Sequence, residues 1–105
     1  MQGIYLKFYV QEKHRHHGIL AYEWLLEQAR THGIHGGSAF RAIAGFGKHG
    51  KMHEETFFEL AGELSVAVEF VLSPTDADKL IAAIRDEKLN LHYVRFAVES
   101  GATGS

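Results

Sequence analysis

The chain alternates first. From Ile4 to Val10, Ile4, Leu6, Phe8 and Val10 fall on one side and Tyr5, Lys7 and Tyr9 on the other, which predicts a strand. Gln11 to Gly18 is polar and reads as a loop carrying His14, Arg15, His16 and His17. The period then changes. Leu20, Trp24, Leu25 and Ala29 recur at helical spacing, predicting a helix from Ile19 to His32, with Gly33 placed to end it in a left-handed conformation. A second strand is expected over Ser38 to Phe46, and a third over Ser65 to Leu72, where Val66, Val68, Phe70 and Leu72 alternate with Ala67, Glu69 and Val71. Ser73-Pro74-Thr75-Asp76 is a helix start, with a capping hydroxyl, a proline in the first turn and an acid near the positive end of the dipole. That helix is expected to run to about Lys88, with a fourth strand over Leu91 to Val98. Lys51 to Glu63 fits a helix or a strand equally well.

The order β-α-β-β-α-β is a split βαβ plan of the α+β class: a four-stranded antiparallel sheet with both helices on one face. Residues 1–99 form one domain and residues 100–105 a flexible tail. The second faces of the strands carry Tyr5, Tyr9, Ile43, Val71, Val94 and Phe96, too apolar a set to leave wet. Sheet-to-sheet packing in an oligomer follows.

Composition narrows the function. The net charge of −2 and the lack of a basic face argue against a nucleic-acid partner. Without cysteine, disulfides and thiolate metal centres are excluded. The opening Met-Gln-Gly-Ile-Tyr-Leu-Lys has neither a signal-peptide core nor a membrane span, so a cytoplasmic protein without membrane insertion is expected.

The chemistry concentrates between Arg41 and His53, where Gly45, Gly47 and Gly50 stand among Lys48, Lys51, His49 and His53. Glycines this dense imply a backbone reason, and the neighbouring lysines make an anion the natural ligand. Gly45-Phe46-Gly47-Lys48-His49-Gly50 matches the dinucleotide fingerprint literally, with Glu69 downstream where a ribose-binding acid belongs. Against that reading, a small oxidoreductase, Met52-His53-Glu54-Glu55 is a polar, acidic helix start where the fingerprint wants close apolar packing, and a complete dinucleotide-binding domain needs appreciably more chain. A phosphate-loop reading of Gly45 to Lys51 places Met52 where a magnesium-holding Ser or Thr belongs. The third reading is a lysine-bearing loop between antiparallel strands that holds a phosphate or carboxylate. A plain glycine-rich hairpin that binds nothing stands beside it. Arg41 and Arg95, inside strands, are further ligand or interface candidates.

Eight histidines raise a metal reading, but their spacings match no closed zinc site, so solvated loop histidines are expected and no metal ligand is assigned. No Ser-His-acid set is evident and no catalytic residue is assigned: the protein is not expected to be an enzyme, nor to require a cofactor. Trp24 sits at core spacing on the first helix.

Arg41-Ala-Ile-Ala-Gly-Phe-Gly-Lys-His-Gly-Lys-Met-His53 closely resembles the signature of the PII-like domain of unknown function 190 family. Ala21-Tyr22-Glu23-Trp24-Leu25, Gly33-Ile34-His35-Gly36-Gly37 and Phe57-Phe58-Glu59-Leu60 resemble it too, and the likeness runs over about residues 2 to 99. The resemblance implies a ferredoxin-like fold assembled as a PII-like homotrimer with a signal-transduction role. It implies adenine nucleotides (ATP, ADP or AMP) as effectors in subunit clefts, and a loop at residues 45–56 that touches a partner. Such proteins tend to be encoded beside fluoride exporters, so a membrane transporter is the partner implied. The expected ligand-binding residues are Arg41, Gly45, Gly47, Lys48, Gly50, Lys51 and Arg95. The chain departs from PII proteins at Asp86-Glu87-Lys88-Leu89-Asn90, which lacks their glycine- and arginine-rich phosphate loop; Arg95 alone corresponds to the arginines that follow. An alternative of another class is a His-bearing, metal-binding trimer resembling the cation-tolerance proteins.

Overall fold

Branched and aromatic residues at every second position form the two central strands, and one side of each of these is buried. The computed structural model describes residues 1–46 and 64–104. The elements are β1 (Gln2–Gln11), β2 (Arg15–His16), β3 (Ile19–Leu20), α1 (Ala21–Thr31), β4 (Ser38–Arg41), β5 (Ser65–Leu72), α2 (Pro74–Asp86) and β6 (His92–Glu99). The main sheet has the order β4-β5-β1-β6 with every neighbouring pair antiparallel. This is the ferredoxin-like split βαβ arrangement expected from the sequence. Leu6 stands opposite Phe70 on one side and Arg95 on the other, which fixes the register across the centre.

Leu6, Phe8 and Val10 of β1 and Val66, Val68, Phe70 and Leu72 of β5 are buried beneath α1 and α2, which contribute Ala21, Trp24, Leu25, Leu80, Ile81 and Ile84. Phe8 meets Phe70 edge-on at 6.3 Å between ring centres and Tyr93 at 6.0 Å, the T-shaped and tilted arrangements that aromatic quadrupoles favour. Truncating a buried leucine such as Leu25 or Leu80 costs about 2–5 kcal/mol in cores of this kind.

Both helix ends are chemically specified. Gly33 takes φ +81°, Ile34 N–H donates to the Ala29 carbonyl and Gly33 N–H to that of Arg30, a Schellman closure in which Ile34 is buried. Ser73 accepts from Asp76 N–H at 3.0 Å, with Pro74 in the first turn. At the start of α1 no side chain caps the helix; Ala21 N–H donates instead to the His14 carbonyl at 2.7 Å. That tie belongs to a structure the sequence reading missed. Arg15-His16 and Ile19-Leu20 pair as a small hairpin around His17 and Gly18, both at positive φ, the conformation of a two-residue type I′ turn. The helix therefore begins at Ala21 and not at Ile19.

The second expected strand also shortens. It ends at Arg41, opposite Val66; its partner begins at Ser65, whose carbonyl still accepts from Ala42 N–H at 2.8 Å. Ile43, placed by the sequence reading on the open face, lies beyond the strand and is 96% exposed; Phe40 takes the open-face position. The helix-or-strand question over residues 51–63 falls outside the described residues.

Candidate functional site

The helices cover one side of the sheet and leave the other open. Alternation puts Tyr5, Lys7 and Tyr9 of β1 on that open side, with Val71 and Glu69 of β5 and Phe96 and Val94 of β6 directly opposite them. The Tyr5 and Phe96 rings lie 4.8 Å apart, and Phe96 is still 53% exposed. Lys7 occupies the middle. Its ammonium stands 5.7 Å from the Tyr5 ring centre, 5.6 Å from that of Tyr9 and 3.6 Å from Glu69, within cation–π range of both rings. Burial pulls against the lysine's charge, but the Tyr5 hydroxyl and the negative charge available on Tyr9, Tyr5 and Glu69 outweigh it and raise its pKa. Tyr5 is raised as well, first by burial and then by its hydrogen bond with Glu69. A charge pair held by aromatic rings on a largely apolar surface is a geometry suited to packing against another face.

The expected ligand residues are spread more widely. Arg41 ends β4, one edge strand, on the helix side of the sheet, and its guanidinium pairs with Glu12. Beside it a cleft of about 220 Å³ is lined by Tyr22, Ala39, Arg41 and Val66. Arg95 lies in β6, the opposite edge strand, and donates to Asp78 Oδ1 on α2 at 2.8 Å. Two strands separate the arginines, so a single chain does not bring them together. Gly45 is exposed, and a β-carbon there would meet nothing within 4 Å among the described residues. Gly47, Lys48, Gly50 and Lys51 lie outside the described residues. A hollow of about 350 Å³ opens where α2 turns into β6, lined by Arg85 and Lys88 together with Phe8, Ile84 and Tyr93.

The sheet decides against one of the sequence readings. A dinucleotide fold needs parallel strands around its glycine turn, and all strand pairs among the described residues run antiparallel.

The sequence reading also missed a cluster. His16, expected to be solvated, has a side chain only 15% exposed and rests edge-on against Trp24, 4.5 Å between ring centres. Its Nε2 lies 3.1 Å from Glu87 Oε1, and that of His17 lies 2.6 Å from the same oxygen. The two imidazoles, His17 foremost, hold the Glu87 carboxyl below its usual range. The one local signal was His17-Gly18, a dipeptide able to make a tight hairpin between two short runs.

Comparison with known proteins places this architecture. The model of DUF190, described as "Uncharacterized ACR", matches residues 3–99. This chain belongs to the DUF190 family. A "UPF0166 protein" of Aquifex aeolicus (strain VF5) is 36% identical over 66 residues, and the matched part spans 63% of this chain and 63% of that relative's length. Among solved structures, one from Thermus thermophilus, described as a PII-like signaling protein, superposes with a TM-score of 0.57 at 14% identity, covering 92% of this chain and 85% of that one. The DUF190 chain thus has a PII-like fold, as the Arg41 to His53 signature implied. Among its described residues no helix is long and apolar enough to cross a membrane.

Proposed function

We propose that this DUF190 protein is a regulatory subunit of the PII type and not an enzyme. In this reading it assembles as a homotrimer through the open face of its sheet and holds a small anionic effector where neighbouring chains meet. The carrying observation is the open face: Tyr5, Tyr9, Val71, Val94 and Phe96 arrayed around Lys7 and Glu69, a contiguous, largely apolar surface across three strands. Exposed apolar surface of this kind is stabilised by burial against a like face.

The placement of the cations supports the effector's position. Arg41 and Arg95 occupy opposite edge strands, so a cleft using both is built from two chains, one edge from each. In sequence the glycine–lysine stretch follows soon after Arg41, and in this reading Gly45, Gly47, Lys48, Gly50 and Lys51 supply amides and ammonium groups suited to phosphate oxygens. An adenine nucleotide is the effector of first choice and a membrane transporter the partner of first choice; both rest on the family resemblance.

Titration calorimetry of the full chain against ATP, ADP and AMP tests the effector. Micromolar binding that weakens in a Lys48→Ala, Lys51→Ala variant is the expected result; absence of heat with all three removes the nucleotide. Light scattering tests the assembly separately, with a mass three times that of the chain expected and a single-chain mass fatal to it.

A further inference from the structure

The hairpin β2–β3 and the end of α2 are far apart in sequence, yet they bring three metal-ligating groups to one point. His16 Nε2, His17 Nε2 and one oxygen of Glu87 all lie within 4.8 Å of one another. In a tetrahedral zinc site, bonds of about 2.0–2.1 Å to nitrogen and oxygen separate the ligand atoms by about 3.3 Å. The two nitrogens lie 3.1 Å and 2.6 Å from Glu87 Oε1, so small side-chain adjustments admit an ion. We propose that His16, His17 and Glu87 form a binding site for a divalent transition-metal ion of the zinc class, independent of any effector at the glycine–lysine stretch.

Three features beyond proximity support a built site. First, the histidines are held in place. His16 is packed against Trp24, itself in the core. His17 sits in the left-handed region at φ +53° in a two-residue turn that Arg15 braces by donating to the Gly18 carbonyl at 3.0 Å. Such positioning lowers the ordering cost of binding. Second, Glu87 is misplaced for a helix on its own. It is the C-cap of α2, at the negative end of the dipole, where an acid is unfavourable and a cation is favoured. A metal ion held by its carboxylate and two imidazoles turns that unfavourable placement into a stabilising one. Third, the set is two neutral nitrogens and one carboxylate oxygen. That composition suits zinc or its transition-metal neighbours, whereas calcium and magnesium prefer oxygen throughout.

Three protein ligands leave a fourth position. His17 is 65% exposed and Glu87 40% exposed at the side chain, so this position faces solvent and takes water or a donor from another molecule. Within the chain the ion would fasten the hairpin to the end of α2 across 70 residues of sequence.

The test is zinc titration of the metal-free full-length protein by calorimetry, with thermal melting alongside. His16→Ala removes a packed side chain and risks misfolding, so the exposed ligands carry the experiment in His17→Ala and Glu87→Gln, each first checked for a native melt. One zinc per chain and a rise in melting temperature are expected. Either variant should weaken binding by more than the roughly 10- to 100-fold that loss of a mere outer-shell partner costs. Failure of the wild type to bind zinc overturns the proposal. So does zinc binding of unchanged affinity in both variants, which would assign the ion to the other histidines.

Discussion

Lys7 and Glu69 stand directly opposite each other on β1 and β5, their charged groups 3.6 Å apart, on a face whose centre also carries Tyr5, Tyr9, Val71, Val94 and Phe96. An ion pair exposed to water contributes little, but one covered by a second sheet must stay paired, since a lone buried charge is costly. Lys7→Glu places two like charges opposite each other, a local cost of about 0.2–1 kcal/mol in the free chain, and a larger one once the face is covered. The expected outcome is a shift of the scattering mass from assembly towards single chains, with Lys7→Met retaining more assembly than Lys7→Glu. Equal masses for wild type and Lys7→Glu would show that this face is not the contact.

A second close approach tests the core. A β-carbon on Gly37 would clash with Phe70 Cε1 and lie 3.2 Å from Leu26 Cδ2, and the Phe70 ring is buried with little room to turn aside. Overpacking of this kind costs about 1–3 kcal/mol, so Gly37→Ala should melt several degrees lower. Gly36→Ala, where a β-carbon meets nothing within 4 Å, is the control and should change stability by no more than about 0.5 kcal/mol. A Gly37→Ala protein as stable as wild type would mean that the Phe70 ring moves freely.

Local chemistry was legible in the sequence, and convergence was not. Gly33 announced the end of α1, and Ser73-Pro74 the start of α2, because each satisfies orphan backbone groups within its own few residues. The period-two pattern of β1 and β5 gave the sheet and its buried side. The reach of β4 was not legible: Ala42 and Ile43 alternate as well as Phe40 and Arg41 do, and the end of the ladder shows only beside the partner strand, which begins at Ser65. Nor was the meeting of His17 with Glu87, which depends on how α2 lies over the sheet. The arginines were found in sequence as a pair of candidates, but topology sets them on opposite edges.

The end of α2 carries a correctable strain. Lys88 holds φ +58° at the position where Gly33 closes α1, and the same two closing bonds form, Lys88 N–H to the Arg85 carbonyl and Leu89 N–H to that of Ile84. A side chain in this conformation costs about 1–2 kcal/mol that glycine avoids, partly offset by glycine's greater freedom when unfolded. Lys88→Gly is therefore expected to stabilise the protein by about 1 kcal/mol in a denaturant titration. A loss of stability instead would mean that the lysine makes a contact outweighing its backbone cost.

Alkaline pH should expose the coupling at the centre of the open face. Tyr5 is raised chiefly by burial and then by Glu69, while Lys7 is raised by Tyr5, Tyr9 and Glu69 against the opposing effect of burial. A group with a raised folded-state pKa binds its proton more tightly when folded, so its stabilisation is complete below the unfolded value and is lost as pH rises through the folded one. For both residues that window opens near about pH 10, where free tyrosine and lysine titrate. Melting temperature should hold level up to about pH 9 and fall beyond about pH 10. Tyr5→Phe removes the phenol and the lysine's hydrogen-bond partner together, so its curve should fall less steeply there. Parallel curves for wild type and Tyr5→Phe would assign the alkaline loss to other groups and leave the Tyr5–Lys7–Glu69 trio without a role in it.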